Sequence, residues 1–219
     1  MTINGTVTKT FLSVCLVVIS GYYSWINISI TNTLMLPCVL IGLGLGIITI
    51  YRKHLSPITV PIYAVIQGIF LGAISYTFNS LYDGIVITAI SYTLSILFVM
   101  LTLYRTGIIK PTENFKLGVA AGTGGIALIY VANFIMSFFG TGLSIMDINN
   151  ASIYSIGFSL LVIVMASLNL VVDFDFIEEG SEKGAPKYME WFGAFGLLVT
   201  LIWLYLEILR LLAKLNSRK

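Results

Sequence analysis

Val199-Thr200-Leu201-Ile202-Trp203-Leu204-Tyr205-Leu206 runs without interruption into Glu207 and on through Ile208-Leu209-Arg210-Leu211-Leu212. A stretch this apolar reads as a membrane helix. An acid well inside it costs about 3 kcal/mol, so Glu207 is a functional candidate by default and needs a partner. The preceding apolar segment runs into a second set of acids, Asp173-Phe174-Asp175-Phe176-Ile177-Glu178.

The rest of the chain has the same character. Hydrophobic residues make up 58% of the 219, charged residues only 10%, and the mean hydropathy is +0.96. A soluble domain would carry about 25% charged residues. The composition therefore specifies an integral membrane protein. A net charge of +2, with no basic run interleaved with aromatics, excludes nucleic acid as a partner.

Seven stretches approach the roughly 20 apolar residues that a crossing requires. They lie near Val7 to Ile26, Thr33 to Tyr51, Ile58 to Phe78, Gly84 to Tyr104, Leu117 to Phe139, Ile153 to Asp173 and Trp191 to Ala213. Short connections with turn residues join them, leaving no room for a soluble domain, so residues 1–219 read as one all-α transmembrane domain. Lys9 precedes the first stretch, but no small-residue cleavage site follows, so an ordinary first span is expected rather than a removed leader.

Lys9, Arg52, Lys53, Arg105, Lys110, Lys116, Lys183 and Lys187 all fall on the side of the amino terminus, which the positive-inside rule makes cytoplasmic. Seven crossings then put the tail outside, against its own Lys214, Arg218 and Lys219. A re-entrant late segment is the other solution; seven crossings agree with more of the loops.

Some readings can be set aside. Cys15 and Cys38 lie inside the first two spans, without a close-spaced partner, and suit packing. His54 is the only histidine, which excludes a bis-histidine haem or a multi-histidine zinc site. Gly42-Leu43-Gly44-Leu45-Gly46 sits within a span and suits close helix packing, as does Gly68-Ile69-Phe70-Leu71-Gly72.

Helical spacing picks out one face on each of the last two spans. In the seventh, Gly193, Gly196, Thr200, Trp203, Glu207, Arg210 and Lys214 recur at steps of three and four. In the sixth, Ser155, Ser159, Val162, Ala166, Asn169 and Asp173 do the same. Asp173 thus continues a stripe of small and polar residues, whereas Asp175 points roughly the other way. Such stripes also serve plain helix packing. Asp175, Glu178, Glu179 and Glu182 are expected in a solvated loop, and Glu207 has a simple partner in Arg210, three residues on.

The segment Ala166-Ser167-Leu168-Asn169-Leu170-Val171-Val172-Asp173-Phe174-Asp175-Phe176-Ile177-Glu178, then Gly184-Ala185-Pro186-Lys187, Trp191 to Gly196, and Trp203 to Leu212 resemble the Bax inhibitor-1/YccA family, the transmembrane Bax inhibitor motif proteins. The resemblance is to its bacterial branch and extends to Leu34-Met35-Leu36-Pro37 and Tyr63 to Gly72. It implies six helices wrapped around a central carboxy-terminal one, in a bacterial inner membrane, and a pH-sensitive calcium leak. It assigns pH sensing to an acid on each of the last two helices, by motif match Asp173 and Glu207, with Arg52 or Lys53 as a cationic latch; Arg210, beside Glu207, is a further latch candidate. The same two acids would hold calcium transiently, as cargo, and Asp175 could replace or assist Asp173. No cofactor and no enzymatic activity are implied. Bacterial relatives also associate with the FtsH-type quality-control protease, which makes a protease regulator the alternative function, working through exposed segments, the amino terminus and the loop Glu178 to Glu190.

Two features test the transfer. Glu207 stands where the family often has aspartate. With the spans above, Asp173 and Glu207 differ in depth by roughly 15–20 Å at 1.5 Å per residue, unless the last helix starts near Pro186. If the two carboxylates do approach in a low dielectric, they cannot both ionise cheaply, and they titrate as a unit.

Overall fold

In a computed structural model of the chain, residues 1–31, 33–148 and 150–218 are described, with the side chains of Ile30 and Phe138 excepted. Lys219, counted among the cations of the tail, lies outside the described residues. The chain is all helical, with no strand among the described residues. In order come α1 (Ile3–Ile26), a single turn α2 (Ile28–Thr31), α3 (Met35–Tyr51), α4 (Ser56–Leu81), α5 (Ile85–Arg105), α6 (Glu113–Phe138), α7 (Ile153–Glu182) and α8 (Met189–Asn216). Six of them are long and apolar enough to cross a bilayer; α3, with 17 residues, is the shorter seventh. At 1.5 Å per residue α3 still rises about 26 Å, near the lower limit for a span.

Local chemistry sets the ends. Thr2 caps α1 by accepting from the Gly5 N–H at 3.0 Å, and Thr112 caps α6 by accepting from Phe115. Pro57 falls in the first turn of α4, where its missing N–H would have no helical partner, whereas Pro61 lies inside the helix and removes one bond from its second turn. The largest departure from the expected boundaries is α7, which continues past Asp173 through Glu182. The acids expected in a solvated loop are helical instead. Glu179 pairs with Lys183 one turn on, and the helix stops at Gly184. There φ is +63°, and the Ala185 N–H returns to Gly180 O at 2.9 Å, a Schellman closure.

Close contacts cluster into two compact units. One contains residues 1–81 and 173–199; the other contains 82–172 and 200–219. α7 and α8 contribute to both.

In the first unit α1 packs on α4 through the expected glycines. A Cβ on Gly68 would lie 2.5 Å from Val17 O, and one on Gly72 would lie 2.1 Å from Gly21 O, so only glycine permits this approach. Ser24 Oγ donates to Ile69 O at 2.7 Å, and Thr49 Oγ1 to Thr59 Oγ1 at 2.7 Å. The Gly42-x-Gly44-x-Gly46 run is less uniform than expected. Gly42 is pressed by Gln67, while Gly44 faces open space. Tyr63 and Phe195 meet edge to face with centroids 5.1 Å apart.

In the second unit Gly122 lies under Met165, and Asn169 Nδ2 donates to Thr123 Oγ1 at 2.6 Å, joining α6 to α7. Large apolar side chains such as Phe98, Leu117, Leu128 and Phe134 are exposed, as expected where lipid replaces water. The apolar window of α8 is 67% buried, against 11% for α6 and 17% for α1. α8 is thus the most enclosed of the long helices, which explains why a polar stripe survives on it.

Candidate functional site

The α7 stripe is enclosed over its first half, after which the buried face passes to Leu170, Phe174 and Ile177, and burial on α8 runs around most of the helix, with Gly196 and Trp203 of its stripe only half-buried. On α7, Ser155, Ser159, Val162 and Ala166 are buried and Asn169 and Asp173 half-buried. On α8, Thr200, Glu207 and Lys214 are buried, and Arg210 is 28% exposed.

In the second unit, Glu207 is 1% exposed. Its Oε2 accepts from the Tyr130 hydroxyl at 2.6 Å and from Arg210 Nη1 at 2.7 Å. Arg210 Nη1 also donates to the Tyr130 oxygen at 2.9 Å, and its guanidinium lies 5.4 Å from the Tyr130 ring centroid. The three groups close a ring around one carboxylate oxygen. The other, Oε1, is buried and has no hydrogen-bond partner among the described residues. The Glu207 to Arg210 pair, open to either reading from sequence, is formed. Tyr130 on α6 was not found from sequence, since nothing in its local pattern distinguishes it from the other aromatics.

In the first unit, Asp173 lies against α8 at Gly196, where a Cβ would come 3.0 Å from Oδ1. Asp173 and Asp175 are both half-buried, and each engages neighbours. The latch candidates Arg52 and Lys53 occupy the turn after α3. Arg52 is exposed, and Lys53 is exposed with its ammonium 5.0 Å from the Phe192 ring centroid on α8. Phe192 in turn meets Phe176 of α7 at 5.8 Å.

The same unit contains an acid that sequence reading put in a solvated loop. Glu190 stands in the first turn of α8 and is 4% exposed. Its Oε1 accepts from the Thr2 N–H at 3.0 Å and the Thr2 hydroxyl at 3.1 Å, and its Oε2 from Lys9 Nζ at 2.5 Å. Lys9 also lies 5.9 Å from the Trp191 ring centroid. One carboxylate therefore joins the start of α1 to the start of α8. The signal was present as a basic residue in the first turns of one apolar helix and an acid in the first turn of another, but pairing across 181 residues has no local signature.

Among the described residues no group of three or more His, Cys, Asp or Glu is placed to hold a metal ion. His54 lies exposed in the short turn Lys53–Leu55.

Comparison with known proteins follows the same line. None of the curated proteins matches the sequence. The family model described as Bax inhibitor 1 like matches residues 1–217. A match over that length, on a helical chain with six helices long and apolar enough to cross a membrane, places it: the chain belongs to the Bax inhibitor 1 like family.

Proposed function

We propose that this protein is a pH-sensitive calcium leak channel of a bacterial inner membrane, its amino terminus cytoplasmic, gated by protonation of Glu207 on α8 and Asp173 on α7. The observation that carries the reading is Glu207: a carboxylate buried in an apolar helix, with one oxygen shared by Tyr130 and Arg210 and the other unpartnered. Burying an ion pair recovers its desolvation cost only when geometry and hydrogen bonding are both good. Protonating Glu207 cancels the attraction to Arg210 and leaves the guanidinium to find solvent or another acceptor. That changes the packing of α8 against α6, which is a gate in electrostatic terms.

Asp173 enters as a second acid with its own surroundings. It is half-buried and tight against Gly196, so a change in its charge or solvation is felt by the backbone of α8. Calcium, a hard cation, takes oxygen ligands, and these carboxylates would hold it in transit. Few ligands suit conduction, because the ion must leave as readily as it enters.

Calcium flux into proteoliposomes over a pH series tests the proposal, comparing the native chain with Glu207→Gln and Asp173→Asn. A pH-dependent flux altered by either substitution is the expected result. Identical curves for all three sink the gating assignment. Absence of flux at every pH from folded protein turns attention to regulation of an FtsH-type membrane protease through the segment Glu178 to Glu190.

A further inference from the structure

Lys214, in the last turn of α8, is 0% exposed. Lysines near the end of a membrane helix ordinarily extend their ammonium toward the interface. This one turns inward. Its Nζ donates to Ile145 O at 3.0 Å, to Ser155 O at 3.2 Å and to Ser159 Oγ at 3.0 Å. An ammonium has three donors, and here three neutral oxygens receive them. Ser155 Oγ donates to the same Ile145 carbonyl at 2.8 Å, fixing the loop oxygen in place.

Two backbone carbonyls and a hydroxyl converging on one positive centre form the kind of oxygen set that replaces water around a monovalent cation. The loop that supplies Ile145 is held to α6 as well, through the Leu143 N–H to Asn133 Oδ1 at 2.8 Å. It borders a cavity of about 390 Å³ lined by Asn133, Gly142, Leu143, Ser144, Met146 and Asp147.

We propose that Ile145 O, Ser155 O and Ser159 Oγ are a monovalent-cation site that Lys214 fills as a tethered ammonium, holding the 142–147 loop closed over the end of α8. Without the lysine, the same oxygens accept free ammonium or potassium, and the loop is released. The site is a matter of binding and stands by itself; its effect on transport rests on the leak reading above.

The test is thermal unfolding of purified full-length Lys214→Ala in ammonium chloride against tetramethylammonium chloride at equal concentration, paired with calcium flux in proteoliposomes. Expected are a loss of thermal stability that ammonium largely restores and tetramethylammonium does not, no such response in the native chain, and a several-fold rise in flux. Equal behaviour in the two salts overturns the cation site. Should Lys214→Ala fail to fold, Ser159→Ala removes one oxygen and keeps the charge. Raised flux at equal folding then supports the closure, and unchanged flux overturns it. If no variant, native included, conducts calcium while ammonium still rescues Lys214→Ala, the leak reading falls and the cation site remains.

Discussion

The Asp173 carboxylate rests against the bare backbone of Gly196, so close that a Cβ on residue 196 would lie 3.0 Å from Oδ1 and 3.7 Å from Cγ. Gly196→Ala is expected to displace that carboxylate by a few tenths of an ångström. The fold tolerates this and the acid's environment changes. The pH dependence of calcium flux should therefore move while the thermal midpoint stays near the native value. An unmoved flux profile would detach Asp173 from the gate.

Glu207 and Arg210 form a buried pair with one member partly exposed. Glu207→Gln keeps hydrogen bonding but strands the guanidinium, and should cost about 3 kcal/mol, the low end for breaking such a pair because Arg210 retains some solvent access. Glu207→Gln combined with Arg210→Met should recover much of that loss. A double-mutant cycle on thermal unfolding measures the coupling.

Tyr130→Phe removes the hydroxyl that donates to Glu207 and accepts from Arg210. Leaving the remaining groups less satisfied should cost about 1–3 kcal/mol. The expected functional signature is an altered flux profile. Loss of stability with an unchanged profile would reduce Tyr130 to packing.

Glycines of similar appearance should behave differently. Gly72→Ala drives a methyl to 2.1 Å from the Gly21 carbonyl and must separate α1 from α4, so folded yield should fall sharply. Gly44→Ala, with nothing within 4 Å, should leave thermal stability nearly native. Fluorescence-detected size exclusion of the two variants distinguishes them.

Glu190→Gln weakens the charged half of the joint to Lys9 while keeping an acceptor for Thr2. Hydrogen exchange over residues 2–9 should rise several-fold, with residues 207–214 unaffected. Unchanged exchange at the amino terminus would mean that Thr2 alone holds α1.

Hydropathy and spacing made most of the architecture legible in the chain itself. A run that carries its hydrogen bonds internally and presents apolar side chains has one solution in lipid, so seven helices followed from the seven stretches. The step of three and four on α7 and α8 picked out Ser155, Ser159, Ala166, Thr200, Glu207 and Lys214, which are buried, together with Asn169, Asp173, Gly196, Trp203 and Arg210, which are half-buried, because polar spacing marks a face that avoids lipid without fixing how the neighbouring helices cover it. Arg210 as partner to Glu207 was also within reach, being one turn away.

What the chain order could not carry was every contact between distant helices. The boundary of α7 was placed at Asp173 because acids were read as an end to the helix, whereas neighbours and the Glu179 to Lys183 pair let it continue to Glu182. Tyr130 at Glu207, Glu190 beneath Thr2 and Lys9, and the three oxygens around Lys214 all join residues dozens of positions apart. Solvent preference along one helix says that a polar group must be enclosed. Only the packing of helices decides which donor or acceptor encloses it, since that depends on rotation and depth that no single segment specifies.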